Sequence, residues 1–187
     1  SSINVEHQRK LAPQVRFVSN IIRSKSRVEN PRDLARSIVE ASVRENYDPL
    51  FVTAVIKHES TFNKLAHSSA GAVGLMQIIP STGEYIARLE NRSWDGALKL
   101  RDPSYNIELG ITYFRYLEDL FRGNREHALI AHNWGPQNLM MALKNKTAIP
   151  SSPRQYAQQI LSTHERWKME YKSQLATSVD STKFARG

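Results

Sequence analysis

The sequence predicts a single, mainly helical domain with a short β-ribbon. Apolar residues recur at helical spacing along most of the chain, and three of these runs begin with a capping side chain followed by proline. Strand signals are weak and are confined mainly to residues 72–79. The 187 residues suffice for one ample core, and no internal repeat, low-complexity block or Gly/Ser linker divides them.

The helix starts follow one pattern. Asn30, Asp48 and Asp102 each precede a proline, which predicts a side-chain N-cap followed by a residue that needs no N–H donor. The helix after Asp48 is apolar enough to be buried as it runs toward Glu59 and Ser60. The helix after Asp102 spans about five turns, with apolar positions at Ile107, Gly110, Ile111, Phe114, Leu117 and Phe121.

Two further helices are predicted toward the end of the chain. Asn124 is expected to cap a helix that Gly135 ends, and the last helix is expected from Pro153 through Trp167, with polar, fraying residues after it. Within the long preceding helix, Gly110 predicts the close approach of another helix.

We divide the chain into a basic, partly helical N-terminal arm at 1–32, a main body at 33–172 and a polar C-terminal tail at 173–187. The arm holds seven Lys and Arg residues against Glu6 and Glu29, so it contributes 7 − 2 = +5 of the formal charge of +8. The simpler interpretation is that the basic residues of the arm face solvent. The alternative is that the arm binds an anionic wall polymer. Four apolar residues on one helical face predict that part of the arm docks on the body: Leu11, Val15, Val18 and Ile22.

The composition limits the partners and the chemistry. The net charge of +8 and the pI of about 9.8 favour an acidic partner, such as nucleic acid, anionic lipid or an anionic cell-wall polymer. The absence of cysteine excludes disulfides and thiolate metal sites. No apolar run reaches transmembrane length, the longest clear one being 50–56, and no signal peptide is visible at Ser1.

Glu59 is a candidate for a catalytic residue, although most glutamates at the end of a helix are solvated surface residues. It lies at the end of the predicted buried helix, and the small-residue loop after it contains Gly71 and Gly74, which allow a close backbone approach. Partial burial and the negative end of the helix dipole both disfavour a carboxylate anion at this place. A carboxyl group that keeps its proton in this way can serve as a general acid.

Three motifs with fixed spacing support that role. They are E-S-x-F at 59–62, A-x-x-S-A-G-A-V-G-L-M-Q-I-x-P-x-T at 66–82 and D-P-x-x-N-I-x-x-G-x-x-Y at 102–113. Together they resemble the lytic transglycosylases, in the branch of the lysozyme-like superfamily that holds the soluble transglycosylases and the goose-type lysozymes. The resemblance covers residues from about 46 to 160, implies an α+β lysozyme-like fold and makes 33–172 the catalytic domain.

The resemblance implies an enzyme that cleaves peptidoglycan without a cofactor. Glu59 then protonates the β-1,4 bond between N-acetylmuramic acid and N-acetylglucosamine and afterwards takes a proton from the C6 hydroxyl, which closes on the anomeric carbon to give a 1,6-anhydromuramyl end. One alternative is a goose-type lysozyme that hydrolyses the bond with water, including on deacetylated or otherwise modified peptidoglycan. A second is a non-catalytic wall-binding module that uses the basic arm and the tryptophans Trp94, Trp134 and Trp167.

Six further residues stand at the family's substrate-binding positions: Ser68, Met76, Gln77, His132, Asn133 and Tyr156. Gln77 is expected to present its amide to a sugar, packing is the simpler role for Met76, and a turn is nearly as good a role for Ser68. Two positions depart from the family pattern. His132 replaces the tyrosine of A-Y-N-x-G, and Ser152 stands at an acidic position near the acetamido group of the sugar. These departures question the usual preference for N-acetylated sugars.

The spacing of other candidate residues does not fit a metal site. Residues 58–62 begin like the zinc motif H-E-x-x-H but end in phenylalanine, and His127 and His132 are five residues apart, so no metal site is predicted. We expect peptidoglycan strands as the partner, no nucleic acid and a monomeric state. The resemblance implies an exported protein of the bacterial periplasm or cell envelope, with any signal or membrane anchor outside the given chain.

Overall fold

The computed structural model describes residues 5–184, and these residues form eight α-helices, one short 3-10 helix and no strand. The prediction of a mainly helical domain is confirmed. The helices are α1 (Val5–Lys25), α2 (Pro31–Arg44), α3 (Pro49–Ser60), α4 (Pro80–Leu89), α5 (Pro103–Leu120), α6 (Arg125–Trp134), α7 (Pro136–Asn145) and α8 (Ser151–Phe184), with the 3-10 helix Ala97–Arg101 before α5. The ends of the predicted arm and tail, at 1–4 and 185–187, lie outside the described residues.

Capping side chains explain where three of the helices begin. Asp48, Asp102 and Asn124 each accept a hydrogen bond of 2.9 Å from a backbone N–H in the first turn of α3, α5 and α6. Asn30 occupies the N-cap position of α2 but makes no side-chain cap bond. The cap predicted there is therefore wrong, and the proline that follows it is what suits the start of that helix.

Helix α3 is the centre of the core. Its first eight residues are all buried, because it packs against α1 and α2 on one side and against α8 on another. A helix that is apolar on all sides belongs in the interior. The long helix α5 packs in turn against α2, α4 and α6. This arrangement holds the C-terminal end of α3, with Glu59, against residues of α6 and α8.

The arm docks on the body as predicted. Val15, Val18 and Ile22 are buried, and Leu11 packs against the core while remaining partly exposed. The last helix does not end near residue 173, since α8 continues to Phe184. Among the described residues, no helix is both long and apolar enough to cross a membrane.

The predicted β-ribbon is reduced to two isolated antiparallel bridges. Val73 bridges to His67 on one side and to Ile78 on the other, and no ladder extends from either pair. Positive φ angles at Gly71 (85°), Gly74 (83°) and Gln77 (49°) turn the backbone before a strand can form. The prediction at Gly110 was also imprecise: a Cβ there would lie 2.4 Å from the sulfur of Met76, so a loop side chain makes the close approach instead of a helix.

Candidate active site

The chain leaves α3 immediately after Glu59 and Ser60 by an unusual backbone path. Thr61 and Phe62 both have left-handed conformations, with φ angles of 49° and 64°. Such conformations cost about 1–2 kcal/mol each for residues with a Cβ, and more for a β-branched threonine. The side chain of Phe62 is 1% exposed, and its burial offsets this strain. The sharp exit ends the helix one residue after Glu59.

Two residues from distant parts of the chain approach the same oxygen of Glu59. The hydroxyl of Tyr156, on α8, donates a hydrogen bond to Oε1. His132, on α6, places Nε2 3.2 Å from that same Oε1. The Glu59 side chain is only 13% exposed. Oε2 makes no hydrogen bond with the residues that the structure describes, so the carboxyl group has one held oxygen and one free oxygen.

His132 is fixed by aromatic packing. Its ring stacks on Phe114 with centroids 4.7 Å apart, its other neighbour Tyr113 lies at 5.6 Å, and the side chain is 4% exposed. Nδ1 is buried and has no hydrogen-bond partner among the described residues. Burying an unpaired N–H costs about 1–3 kcal/mol, so the neutral ring favours the tautomer with its proton on Nε2. That proton points to the Glu59 side of the ring.

Tyr156 remains a hydrogen-bond donor across the physiological range. Burial raises its pKa well above the ordinary value of about 10, and the negative charge of Glu59 and the hydrogen bond to Glu59 raise it further. A phenol with so high a pKa keeps its proton beside the carboxylate. It can therefore stabilise the anionic form of Glu59 without itself becoming charged.

Asn106 organises the loop that faces the site. It is fully buried; its amide nitrogen donates to the carbonyls of Val73 (3.0 Å) and Leu100 (2.9 Å), and its oxygen accepts from Met76 N (2.8 Å). Gly74 fits against this amide, because a Cβ there would lie 2.3 Å from the Asn106 nitrogen. The sequence did not predict Asn106 as a residue of the site. Its position in the 102–113 motif was the signal that could have revealed the loop-holding role.

Two predicted substrate-binding residues take part in this loop. Met76 is 1% exposed and packs against Gly110, which corresponds to the packing role considered for it. The amide nitrogen of Gln77 donates to the carbonyls of Gly74 (2.9 Å) and Ala66 (3.2 Å), so this nitrogen holds the loop.

Ser68 and Asn133 differ in their surroundings. Ser68 Oγ accepts a hydrogen bond from Ala72 N at 3.0 Å, which corresponds to the turn role considered for it. Asn133, next to His132 at the end of α6, is exposed and available to a ligand. The structure thus brings His132 and Tyr156 directly to Glu59, while Ser68 supports the loop.

The tryptophans do not form a binding surface. Trp167 is 3% exposed and belongs to the core. Trp94 packs against Gly83, where a Cβ would lie 2.8 Å from its ring, and Trp134 is also partly buried against the core. Stacking on sugars needs an open ring face, so the binding-module alternative loses most of its structural basis.

Comparison with known proteins identifies similar sequences. The sequence model of the family described as the transglycosylase SLT domain matches residues 36–153. The soluble lytic murein transglycosylase of Salmonella typhimurium is 33% identical over 96 residues, which are 51% of this chain and 15% of that protein. The membrane-bound lytic murein transglycosylase C of Mannheimia succiniciproducens is 38% identical over 82 residues, 43% of this chain and 23% of that protein. The chain therefore spans less than a quarter of the length of either curated relative.

A solved structure has a similar fold. It is an inactive glutamate-to-glutamine mutant of the lytic transglycosylase Slt from Pseudomonas aeruginosa. The TM-score is 0.68 and the sequence identity 26%, over 89% of this chain and 30% of that one. The match covers most of this chain, so the helical fold described above is shared with that protein.

Proposed function

Because the chain belongs to the transglycosylase SLT domain family, we propose that it is a lytic transglycosylase that cleaves the glycan strands of peptidoglycan, with Glu59 as both acid and base. The observation that carries this proposal is the asymmetry of the Glu59 carboxyl group. Oε1 is held by Tyr156 and His132, and Oε2 is free to meet a substrate. A single carboxyl group suits a reaction in which the substrate supplies its own nucleophile.

In the first step, Glu59 donates the proton on Oε2 to the oxygen of the β-1,4 bond between N-acetylmuramic acid and N-acetylglucosamine. The bond between that oxygen and the anomeric carbon breaks, and its electron pair stays with the leaving oxygen. The carbonyl of the 2-acetamido group stabilises the positive charge that develops at the anomeric carbon. Donors at Oε1 stabilise the carboxylate that Glu59 becomes.

In the second step, the Glu59 carboxylate takes the proton of the C6 hydroxyl on the same sugar. The C6 oxygen forms a bond to the anomeric carbon, which gives the 1,6-anhydro ring and returns Glu59 to its protonated form. Because this hydroxyl is tethered, its effective molarity can reach about 10⁵ M or more, enough to compete with water. No water is consumed, so the bond is cleaved without hydrolysis.

His132 acts as a positioning residue for Glu59. Its Nε2–H faces Oε1 at 3.2 Å, and the stack on Phe114 keeps the ring in that orientation. Exposed Asn133, one residue further along α6, is placed to contact the sugar beside the cleaved bond.

The proposal extends to the partners and the location of the protein. Its relatives include one named as soluble and one named as membrane-bound, which supports a place in the bacterial cell envelope, where peptidoglycan lies. We assign catalysis to residues 33–172, the range that contains Glu59, its two partners and the whole family match. The arm at 1–32 and the tail at 173–187 then serve binding or docking, and the chain acts as a monomer.

Mass spectrometry of the products released from purified peptidoglycan tests the proposal. We expect muropeptides one water lighter than the hydrolysed forms, and at least a 10³-fold loss of this release with Glu59→Gln. Glu84→Gln is the matched control, since Glu84 is exposed, pairs with Arg88 and is expected to keep full activity.

Three results bear on the alternatives. Release of reducing-end products would replace transglycosylation by lysozyme-type hydrolysis. Release only from chemically deacetylated peptidoglycan would remove the acetamido carbonyl from the mechanism and assign the specificity change to His132 and Ser152. Undiminished cleavage by Glu59→Gln would contradict the role given to Glu59.

A further inference from the structure

A groove between α1 and α2 carries a large unpaired positive charge. We call it the arginine groove. Its volume is about 490 Å³, its floor includes Leu11, Ala12 and Val15, and Glu40 is the acidic residue at its edge. Five arginines line it: Arg9, Arg16 and Arg23 on α1, and Arg32 and Arg36 on α2.

These five arginines differ from most of the others in the protein. All five are exposed, and none has an ion pair or hydrogen bond with another residue that the structure describes. Elsewhere, six arginines are paired with glutamates: Arg44, Arg88, Arg92, Arg115, Arg125 and Arg166. Even Arg36 and Glu40, which are four residues apart on α2 and suitably spaced for a pair, form no salt bridge.

The charges form a line along the groove. Arg9, Arg16 and Arg23 are seven residues apart, so they recur about every 10.5 Å along one side of α1. Helices α1 and α2 are joined by a short turn, which brings the end of α1 near the start of α2. Arg23 therefore lies at the same end of the groove as Arg32. Like charges held together in this way repel one another, and an extended anion in the groove relieves that repulsion.

The crowded end of the arginine groove lies toward the catalytic end of α3. The turn after α1, at 26–30, and the chain directly after Glu59, at 61–65, line one common cavity of about 490 Å³. Lys25, the last residue of α1, is also close enough to Lys57 to lower the pKa of Lys57, after the larger effect of burial. Arg32 and Arg36 of the groove are sequence neighbours of Asp33 and Ser37, which line this second cavity, so the groove and the chain after Glu59 border adjoining cavities.

We propose that the arginine groove is a second binding site, which holds the carboxylates of the peptide stems that branch from a peptidoglycan strand. This inference rests on the proposed function, which places such a strand at Glu59. The planar guanidinium group matches a carboxylate in a two-point contact, and the lining cations are all arginines. The apolar floor suits the small aliphatic side chains of short peptides.

The shape of the site favours a peptide over a lipid surface. A membrane offers a flat layer of headgroups, which meets protruding cations instead of a concave groove with an apolar floor. Lys10 and Lys25 on α1 are exposed but do not line the groove. The groove also lacks aromatic residues, on which the bases of single-stranded nucleic acid would stack.

Co-sedimentation with intact peptidoglycan sacculi tests the proposal. The full chain carries Glu59→Gln, so that binding is measured without cleavage and remains readable even if the proposed reaction is wrong. A triple variant reverses charge in the groove: Arg16→Glu, Arg23→Glu and Arg36→Glu. We expect its affinity for sacculi to fall roughly tenfold or more. Three proposed ion pairs with stem carboxylates are lost, and each is replaced by repulsion between like charges. The affinity of the unreversed protein should weaken as salt rises.

A matched control reverses the same number of charges elsewhere, at exposed positions outside the groove: Arg101→Glu, Arg122→Glu and Lys144→Glu. It should keep affinity within about threefold of the parent protein. Circular dichroism melting of both triple variants establishes that each is folded. Sacculi stripped of their stems by an amidase supply the second arm, and on them the groove variant and its parent should bind equally.

Several results would overturn the proposal. Unchanged affinity of the groove variant for intact sacculi would remove the site, and an equal loss in the control variant would reduce the effect to net charge. A groove-dependent affinity that survives removal of the stems would assign the site to another ligand. Tighter, groove-dependent binding to phosphatidylglycerol vesicles than to sacculi would make it a membrane contact.

Discussion

Helix α3 carries one carboxylate at each end, and both lie beside a buried histidine. At the N-terminus, Asp48 Oδ2 lies 2.6 Å from Nε2 of His164, while its Oδ1 accepts a backbone N–H of the first turn. At the C-terminus, Glu59 Oε1 meets both Tyr156 and Nε2 of His132. The same pair of chemical groups thus appears twice on one helix, in two different arrangements.

The difference lies in how the oxygens are used. Both oxygens of Asp48 have partners, and the positive end of the helix dipole favours its anion. Glu59 has both partners on one oxygen and lies at the negative end of the dipole. A carboxylate with both oxygens occupied holds structure together. A carboxyl group with one free oxygen can exchange a proton, as we propose for Glu59. The two ends of α3 therefore differ in how many carboxyl oxygens have partners, and not in the presence of a neighbouring histidine.

The largest expected effect in this comparison is on turnover, at Tyr156. Tyr156→Phe removes the hydrogen bond to Oε1 and keeps the ring. A hydrogen bond to a charged group is worth about 1.5–3 kcal/mol, so we expect kcat to fall roughly 10- to 100-fold with little change in KM. Steady-state release of muropeptides measures both. An unchanged kcat would mean that the hydroxyl does not support the Glu59 carboxylate.

The second effect is on stability, at Asp48. Asp48→Ala removes the N-cap of α3 and the contact with His164, and we expect the free energy of unfolding to fall by about 2 kcal/mol. Asp48→Asn keeps the capping oxygen and should lose less. Urea unfolding at pH 7 measures both variants, and turnover below the unfolding transition should stay near the wild-type value. A larger loss of unfolding free energy with Asp48→Asn than with Asp48→Ala would contradict the stabilising role given to the capping oxygen.

The Asp48 contribution also depends on pH. Burial alone would raise the pKa of Asp48, but the hydrogen bonds from His164 and from Leu50 N–H outweigh burial and lower it. A lowered pKa adds stability above the unfolded-state pKa of about 3.9, and this stability is lost as pH falls below that value. The difference in the free energy of unfolding between wild type and Asp48→Asn should therefore become smaller below about pH 4. Urea unfolding at several pH values measures this difference.

A smaller effect is expected at His132. His132→Phe keeps a ring that can pack on Phe114 but removes the polar contact with Oε1, and we expect turnover to fall about three- to tenfold. His132→Tyr restores a polar group and should recover part of the loss. Recovery of kcat in His132→Tyr but not in His132→Phe distinguishes a positioning role for the polar contact with Oε1 from simple packing. Equal kcat values for all three proteins would exclude that role.

The smallest expected effect concerns His58, the neighbour of Glu59 in the chain. Burial, followed by the charge of Lys57, lowers the pKa of His58 to about 4. As pH falls from about 6.5 to 4, the unfolded chain binds a proton that the folded protein excludes, so stability declines over that window. His58 is half-buried, and solvent reduces the decline to about 1 kcal/mol.

His58→Gln tests this pH dependence. A glutamine can keep a hydrogen bond to Thr163 Oγ1, which lies 3.0 Å from His58 Nε2, but it carries no titrating group. The variant should lose about 1 kcal/mol less stability than wild type between pH 7 and pH 5, as measured by urea unfolding. Equal losses in both proteins would mean that His58 is freely protonated in the folded state.

The sequence predicted much of α3 and little of what surrounds its ends. Asp48 followed by proline fixed the start of the helix, and the apolar run predicted its burial as far as Glu59. Tyr156 was recognised as a site residue, but its contact with Oε1 joins residues 97 positions apart and depends on how α8 packs against α3. Helical periodicity describes one element at a time and does not specify such a contact.

The loop and the arm give two further examples. The β-ribbon predicted at 72–79 is shorter than expected. Three residues with positive φ angles, together with the hydrogen bonds of the Asn106 amide, form turns where strands would have paired. The basic charge of the arm was visible from the residue counts. Which arginines of the protein have a glutamate partner depends on the glutamates that the fold brings near. Patterns in sequence thus identified the charge, and only packing revealed the groove.

The unfolding midpoint of Glu59→Gln, measured beside that of Asp48→Ala, tests most directly whether the two ends of α3 serve different purposes. A glutamine at 59 can still accept at the held oxygen and, like the protonated Glu59 of the proposed reaction, places no charge at the negative end of the helix dipole. The account predicts that Glu59→Gln unfolds at or above the wild-type temperature while releasing no muropeptides, and that Asp48→Ala unfolds several degrees lower while remaining active. A Glu59→Gln protein that unfolds as early as Asp48→Ala would contradict it, because Glu59 would then be a structural carboxylate like Asp48.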